Sequence, residues 1–173
     1  MTAPELEFAI QHTVPRHIQA IAFNVEEGVD SFSYRISVAA PTEVITLERE
    51  GVNSALIKAL AARMEISSTR LIRILGIPKS SAERQIAAGK VIRGCGGQAA
   101  IAMVKLLGIA KEIVERSTAP EAKDFDAARW LGQWIERPQP ALGGAKPADF
   151  LDTPTGVEIV TRLLRSIESG SYQ

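Results

Sequence analysis

Cysteine is almost missing from this chain of 173 residues: Cys95 is the single one. One thiol excludes a disulfide framework and a cysteine-rich zinc site. Histidine is nearly as scarce. His12 and His17 lie near the N-terminus with no cysteine or acidic cluster beside them, so the residue pattern offers no metal site and calls for no cofactor. Net charge is absent too, because 20 Lys and Arg are balanced by 20 Asp and Glu. That balance excludes a simple polycation for nucleic acid and an acidic disordered tail. No apolar run reaches the roughly 18 residues of a membrane span. The start, Met1-Thr2-Ala3-Pro4-Glu5-Leu6-Glu7, lacks the basic residues and apolar stretch of a signal peptide. The expectation is a cytoplasmic protein. What is present is 46% hydrophobic and 23% charged residues, an ordinary composition for one folded domain or two small ones.

The zero net charge conceals an uneven distribution. Residues 1–57 hold three Lys/Arg and eight Asp/Glu, residues 58–116 hold eleven and four, and residues 117–173 hold six and eight. A basic middle between acidic ends suggests a local nucleic-acid face in a neutral protein. A solvated basic helical surface gives the same pattern.

Residues 1–40 carry few signals and are expected to form an N-terminal arm. Within it, Phe32-Ser33-Tyr34-Arg35-Ile36-Ser37-Val38 alternates apolar and polar residues, which predicts a short half-buried strand. A lone strand needs a partner, such as its copy in a second chain. From Pro41 the pattern is helical. Gly51 fits a helix C-cap. Asn53-Ser54 can cap a helix carrying Leu56, Ile57, Leu60, Ala61 and Met64, spaced by three and four. Ser67-Ser68 can cap the next, 69–75, which Gly76 closes. Ser80-Ser81-Ala82-Glu83 has the form of a capping box for a helix ending at Gly89.

Two short helices around a glycine-containing turn form a helix-turn-helix arrangement. Its second helix would present Lys79, Ser80, Ser81, Arg84 and Gln85 to DNA bases and phosphates. Arg70 and Arg73 of the preceding helix would meet phosphates. An ordinary helical hairpin with a polar face is the alternative. Arg93-Gly94-Cys95-Gly96-Gly97 lacks the Gly-Lys-Ser/Thr ending of a P-loop and is expected to be a loop, with Cys95 an incidental thiol. A long helix, from Gln98 to about Arg116, is apolar on more than one face and is expected in the core or at a dimer contact. Ser117-Thr118-Ala119-Pro120-Glu121 breaks it and marks the expected boundary between a domain over 41–117 and one over 118–173.

In the last third, Asp124 is expected to cap a helix containing Trp130 and Trp134, both more at home in a core than in an interface. A Pro/Gly loop follows, then a short helix from Pro147. Thr153-Pro154 starts the last helix, which runs to about Glu168 and ends at Gly170. The string Pro138-Gln139-Pro140-Ala141-Leu142-Gly143-Gly144, then Asp152-Thr153-Pro154-Thr155-Gly156, then Gly170-Ser171-Tyr172 resembles the C-terminal toxin-binding domain of the MbcA/ParS/Xre antitoxins. The middle of the chain, from Glu48 to about Arg116, is similar to the Xre-type helical domain of the same proteins. Together the resemblance covers roughly 42–173.

The resemblance implies an all-α fold and the antitoxin of a type II toxin–antitoxin pair. The implied partner is a RES-domain toxin, which binds NAD and either degrades it or transfers ADP-ribose. It also implies a homodimer and binding to the operon's own promoter. The toxin-facing positions that it implies are Leu142, Gly143, Gly144, Lys146 and Pro147, then Gly170, Ser171, Tyr172 and Gln173. Physically, the Pro/Gly loop would offer exposed backbone N–H groups, Lys146 a cation, and Tyr172 an aromatic ring for a nucleotide cleft. Where many members carry an acidic-Ser-Asp-Arg sequence before the long helix, this chain has Gly96-Gly97-Gln98-Ala99-Ala100, so any ion pairs of that motif are absent. A stand-alone dimeric helix-turn-helix regulator is the rival reading. An enzyme is not expected, because no acid/base or nucleophile constellation is visible.

Overall fold

A computed structural model describes residues 21–118 and 120–168 of the chain. The first helix, α1 (Gly28–Val38), occupies the segment in which the alternation predicts a strand. That expectation fails because Phe32 and Ile36 satisfy both periods. Val29, Phe32, Ser33 and Ile36 are buried together, at spacings of three and four, while Tyr34 and Val38 face solvent. Helix α2 (Pro41–Glu50) starts on a proline, and the Glu43 carboxylate accepts a hydrogen bond from the Ala40 N–H at 2.9 Å. Gly51 closes it, as expected.

Two strands of two residues, β1 (Val52–Asn53) and β2 (Val91–Ile92), pair antiparallel, with Val52 opposite Ile92. They bracket α3 (Ala55–Arg63), α4 (Ser68–Ile74) and α5 (Lys79–Ala87). Ser67 caps α4, its hydroxyl accepting from the Arg70 N–H at 3.2 Å. Ser80 does not cap α5, which begins directly after Pro78 and so places Ser80 inside the first turn with no side-chain cap. The Ser80–Glu83 box is therefore not formed.

The central element is α6 (Gly94–Arg116), which starts four residues earlier than the sequence pattern suggests. The expected Gly-rich loop is its first turn. There a side chain at Gly97 would meet the Ile92 carbonyl at 2.5 Å, so α6 can run this close to β2 only without one. Ala100, Ile101, Val104 and Leu107 are fully buried. Helix α1 packs on one side of α6, and the remaining helices, α7 (Ala127–Trp134) and α8 (Pro154–Glu168), pack on another. One cluster of buried side chains runs from Phe23 to Leu164. Asp126, rather than the expected Asp124, caps α7, accepting from the Ala128 and Arg129 N–H groups at 3.1 Å. Thr153 caps α8 as expected, its hydroxyl accepting from the Gly156 N–H at 3.1 Å. Trp134 is buried and stacks on the half-exposed Trp130 at 5.8 Å. Among the described residues no helix is long and apolar enough to cross a membrane. None of their His, Cys, Asp or Glu groups could hold a metal ion. His12 and His17 lie outside the described residues.

Part of the uneven charge is answered within the chain. Cations of the basic middle pair with carboxylates from both flanks: Lys105 with Glu48 at 2.8 Å, Lys111 with Asp30 at 3.3 Å, and Arg63 with Asp30 and Asp126 at 2.8 and 2.7 Å. Arg63 thereby ties α3 to α1 and to the cap of α7. Burial pushes the Asp30 and Asp126 carboxyls up, but the hydrogen bonds and charges of Arg63, with Lys111 beside Asp30 and the α7 N–H groups on Asp126, hold both below the ordinary 3.8. A carboxyl depressed in the folded state stabilises it above the unfolded value, and that contribution is lost as pH falls through the folded value. Melting temperature is therefore expected to be insensitive to these two groups above about pH 5 and to fall below about pH 4. Asp126→Asn keeps the cap acceptor but removes the charge. Melts at pH 7 and pH 3.5 should show a smaller difference for that variant than for the parent. An equal difference in both would remove Asp126 from the acid response.

Candidate functional site

Two surfaces carry the candidate residues. The first is the α4–α5 pair, joined through residues 75–78. Arg73, Lys79, Ser80 and Arg84 are exposed there, and Ser81 and Gln85 are half-buried. Lys79 lies 3.8 Å from Glu83, one turn on, which offsets part of its charge. Arg70 is not presented with these residues. Its guanidinium turns toward the C-terminal helices, with Nε donating to Glu136 Oε1 at 2.5 Å and a terminal nitrogen donating to Oε2 at 3.0 Å.

The second surface lies on α8 and the turn before it. Gln139 is buried, and its side-chain amide donates to the Trp134 and Arg137 carbonyls, which anchors the turn to the end of α7. From there the chain makes a short 3-10 turn (Pro140–Leu142) and reverses at Gly143 and Gly144, whose φ angles are +64° and +85°. A side chain at either glycine would meet nothing within 4 Å, so glycine is needed there for its backbone and not for space. The expected offer of free N–H groups is not what the turn provides. Gly143 and Gly144 donate to the Pro140 and Gln139 carbonyls at 2.9 and 3.0 Å, Ala145 donates to Leu142 at 3.2 Å, and Gln139 itself donates to Ala145 at 3.0 Å. The loop satisfies its own backbone and is rigid for that reason.

What the turn presents instead is an apolar edge. Ala141 and Leu142 face Ile159, Arg162, Leu163 and Ser166 of α8 across a groove of about 270 Å³. Ile159 is 37% exposed, whereas Val160 and Leu164 of the same helix are fully buried. The sequence pattern does not single out Ile159, Arg162 or Ser166. Ile159 is one apolar residue among several in an amphipathic helix, and its outward position depends on how α8 sits on α6. Pro147 is buried, and the Ala148 N–H donates to the Ile135 carbonyl at 2.9 Å. Lys146 is half-buried, with Nζ 3.5 Å from Glu136 Oε2. Glu136 thus receives Arg70 from one side and Lys146 from the other. The Arg70 hydrogen bond is the main force that holds its carboxyl below the ordinary 4.5, against the opposing effect of burial. Gly170, Ser171, Tyr172 and Gln173 lie outside the described residues. Cys95 is exposed near the start of α6.

Comparison with known proteins meets the second surface. Residues 125–170 match the family described as the antitoxin Xre/MbcA/ParS C-terminal toxin-binding domain. The chain is also similar to a Prs ADP-ribosylating antitoxin of Sphingobium sp. (strain YBL2). The two are 29% identical over 147 residues, which cover 84% of this chain and 91% of that one. Helix α7, the turn at 139–147 and helix α8 therefore all lie within the segment that matches this toxin-binding family.

Proposed function

We propose that this chain neutralises a RES-domain toxin that consumes NAD or transfers ADP-ribose, and that it does so without chemistry of its own, by occluding the toxin's active-site cleft. In this reading the groove between Leu142 and Ile159 seats the domain on the toxin. Residues 170–173, which follow α8, reach the cleft. The observation that carries the proposal is a rigid, self-satisfied turn that sets an apolar groove inside the matched toxin-binding domain. A relative whose name joins an antitoxin to ADP-ribosylation supports the class of toxin. The chain acts as a homodimer and represses its own operon through the α4–α5 pair, where Arg73, Lys79 and Arg84 are the exposed cations.

The test uses a purified RES-domain toxin. Its NAD consumption, or its ADP-ribosylation of a protein target, is measured with one equivalent of the full chain and of a chain ending at Ser169. The full chain should inhibit at equimolar amounts. The shortened chain should bind the toxin and keep its circular dichroism, but inhibit at least tenfold less. Equal inhibition by both chains would overturn the occlusion mechanism. No inhibition by the full chain would overturn the antitoxin reading for that toxin.

A further inference from the structure

Glu136 stands between the two candidate surfaces and touches both. On one side it takes two hydrogen bonds from Arg70 of α4, the helix that leads into α5. On the other, its Oε2 lies 3.5 Å from Nζ of Lys146, in the turn that faces α8. The side chains of Arg70 and Glu136 are each only 28% exposed, which shelters the pair from the screening that makes surface ion pairs weak. Asp149, just after the turn, accepts from the Lys146 N–H at 3.4 Å and adds a second negative charge that acts on Arg70. Arg70 is thus held by the toxin-binding domain and not by its own helix pair.

We propose that Glu136 couples the turn at 139–147 to the α4–α5 pair, so that engaging one surface weakens ligand binding at the other. The coupling rests on the proposed function, since it needs a ligand at each surface. An anionic group of the toxin that draws Lys146 away leaves the Glu136 carboxylate to Arg70 alone and holds that guanidinium more firmly. A duplex phosphate that draws Arg70 away leaves Glu136 to Lys146 alone and withdraws that cation from the toxin. The two effects are one quantity read from two ends, because linkage between binding equilibria is reciprocal.

The experiment measures binding of a labelled duplex from the operon's upstream region to the full chain, free and saturated with the toxin, and the converse titration. For the parent chain, toxin should weaken duplex binding about fivefold, and duplex should weaken toxin binding by the same factor. Glu136→Gln has the same shape without the charge. It should tighten duplex binding by the free chain and bring the coupling factor to about one. Lys146→Gln should also bring the factor to about one by removing the competing cation, which provides a second route if the first variant folds poorly. Steric exclusion between toxin and duplex would leave the factor unchanged in both variants and would overturn the proposal. So would a parent chain whose two binding curves are independent or mutually reinforcing. Failure of the parent chain to bind the duplex at low salt would overturn the coupling together with the repressor half of the proposed function. Failure to bind the toxin would overturn it together with the antitoxin half.

Discussion

Gly132→Ala should destabilise the protein by about 3 kcal/mol and lower its melting temperature by about 6–12 °C. Gly132 lies in the middle of α7, where helix propensity alone favours alanine by about 1 kcal/mol. Packing reverses that sign. A methyl group there would overlap the Met64 carbonyl oxygen and lie 3.2 Å from the Met64 Cβ. The carbonyl belongs to the end of α3, where Met64 is buried and the next residue, Glu65, already has a φ of +54°. It is backbone, so no rotamer change relieves the contact, and α7 must move away from α3. The shift would open the packing of Leu131, Trp134 and Ile135, all buried, and would stretch the ion pair between Arg63 and Asp126 that crosses the same seam. Thermal and urea melts of parent and variant measure the effect. A variant as stable as the parent would mean that α7 does not approach Met64 this closely.

The contact at Gly132 shows why part of this fold is legible in sequence and part is not. Several ends fixed by local hydrogen bonds are readable: Ser67 and Thr153 cap α4 and α8 where their positions suggest, and Gly51 ends α2, whereas the α7 cap falls on Asp126 and not on Asp124. Elements decided by a distant partner are not. Residues 32–38 fit a strand and a helix equally well until Ser33 donates to the Val104 carbonyl at 3.2 Å and the segment lies against α6. The glycines at 94, 96 and 97 suggest a loop because their sequence does not show that Gly97 packs on the Ile92 carbonyl and Gly96 on the Ile77 side chain. Part of the charge pattern is settled at a distance too: Arg63, Arg70, Lys105 and Lys111 of the basic middle answer carboxylates of the chain's own ends. At the candidate site, Leu142, Gly143, Gly144 and Lys146 are marked by Pro/Gly composition and by family resemblance. The groove wall on α8 and the shared carboxylate at Glu136 exist only once α7, α8 and α4 are placed together.

Ile159→Glu is therefore the variant that should separate folding from toxin binding most cleanly. Ile159 projects from the outer face of α8, with Arg162 and Leu163 beside it and Leu142 across the groove. Its removal opens no cavity in the core, and a surface change of this kind costs within about 0.5 kcal/mol of stability. Arg162, already paired with Glu158 at 2.9 Å, stands near enough to meet a second carboxylate in water. At an interface the balance differs. A desolvated apolar contact would be replaced by a charge with no partner, and such central positions are worth at least about 2 kcal/mol, or roughly thirtyfold in affinity. Titration calorimetry against the proposed partner, a RES-domain toxin, should show that loss, with melting temperature and circular dichroism unchanged. An unchanged affinity would exclude the Leu142–Ile159 groove from the interface and leave residues 170–173 to hold the toxin. Loss of both affinity and melting temperature would place Ile159 in the core of the domain.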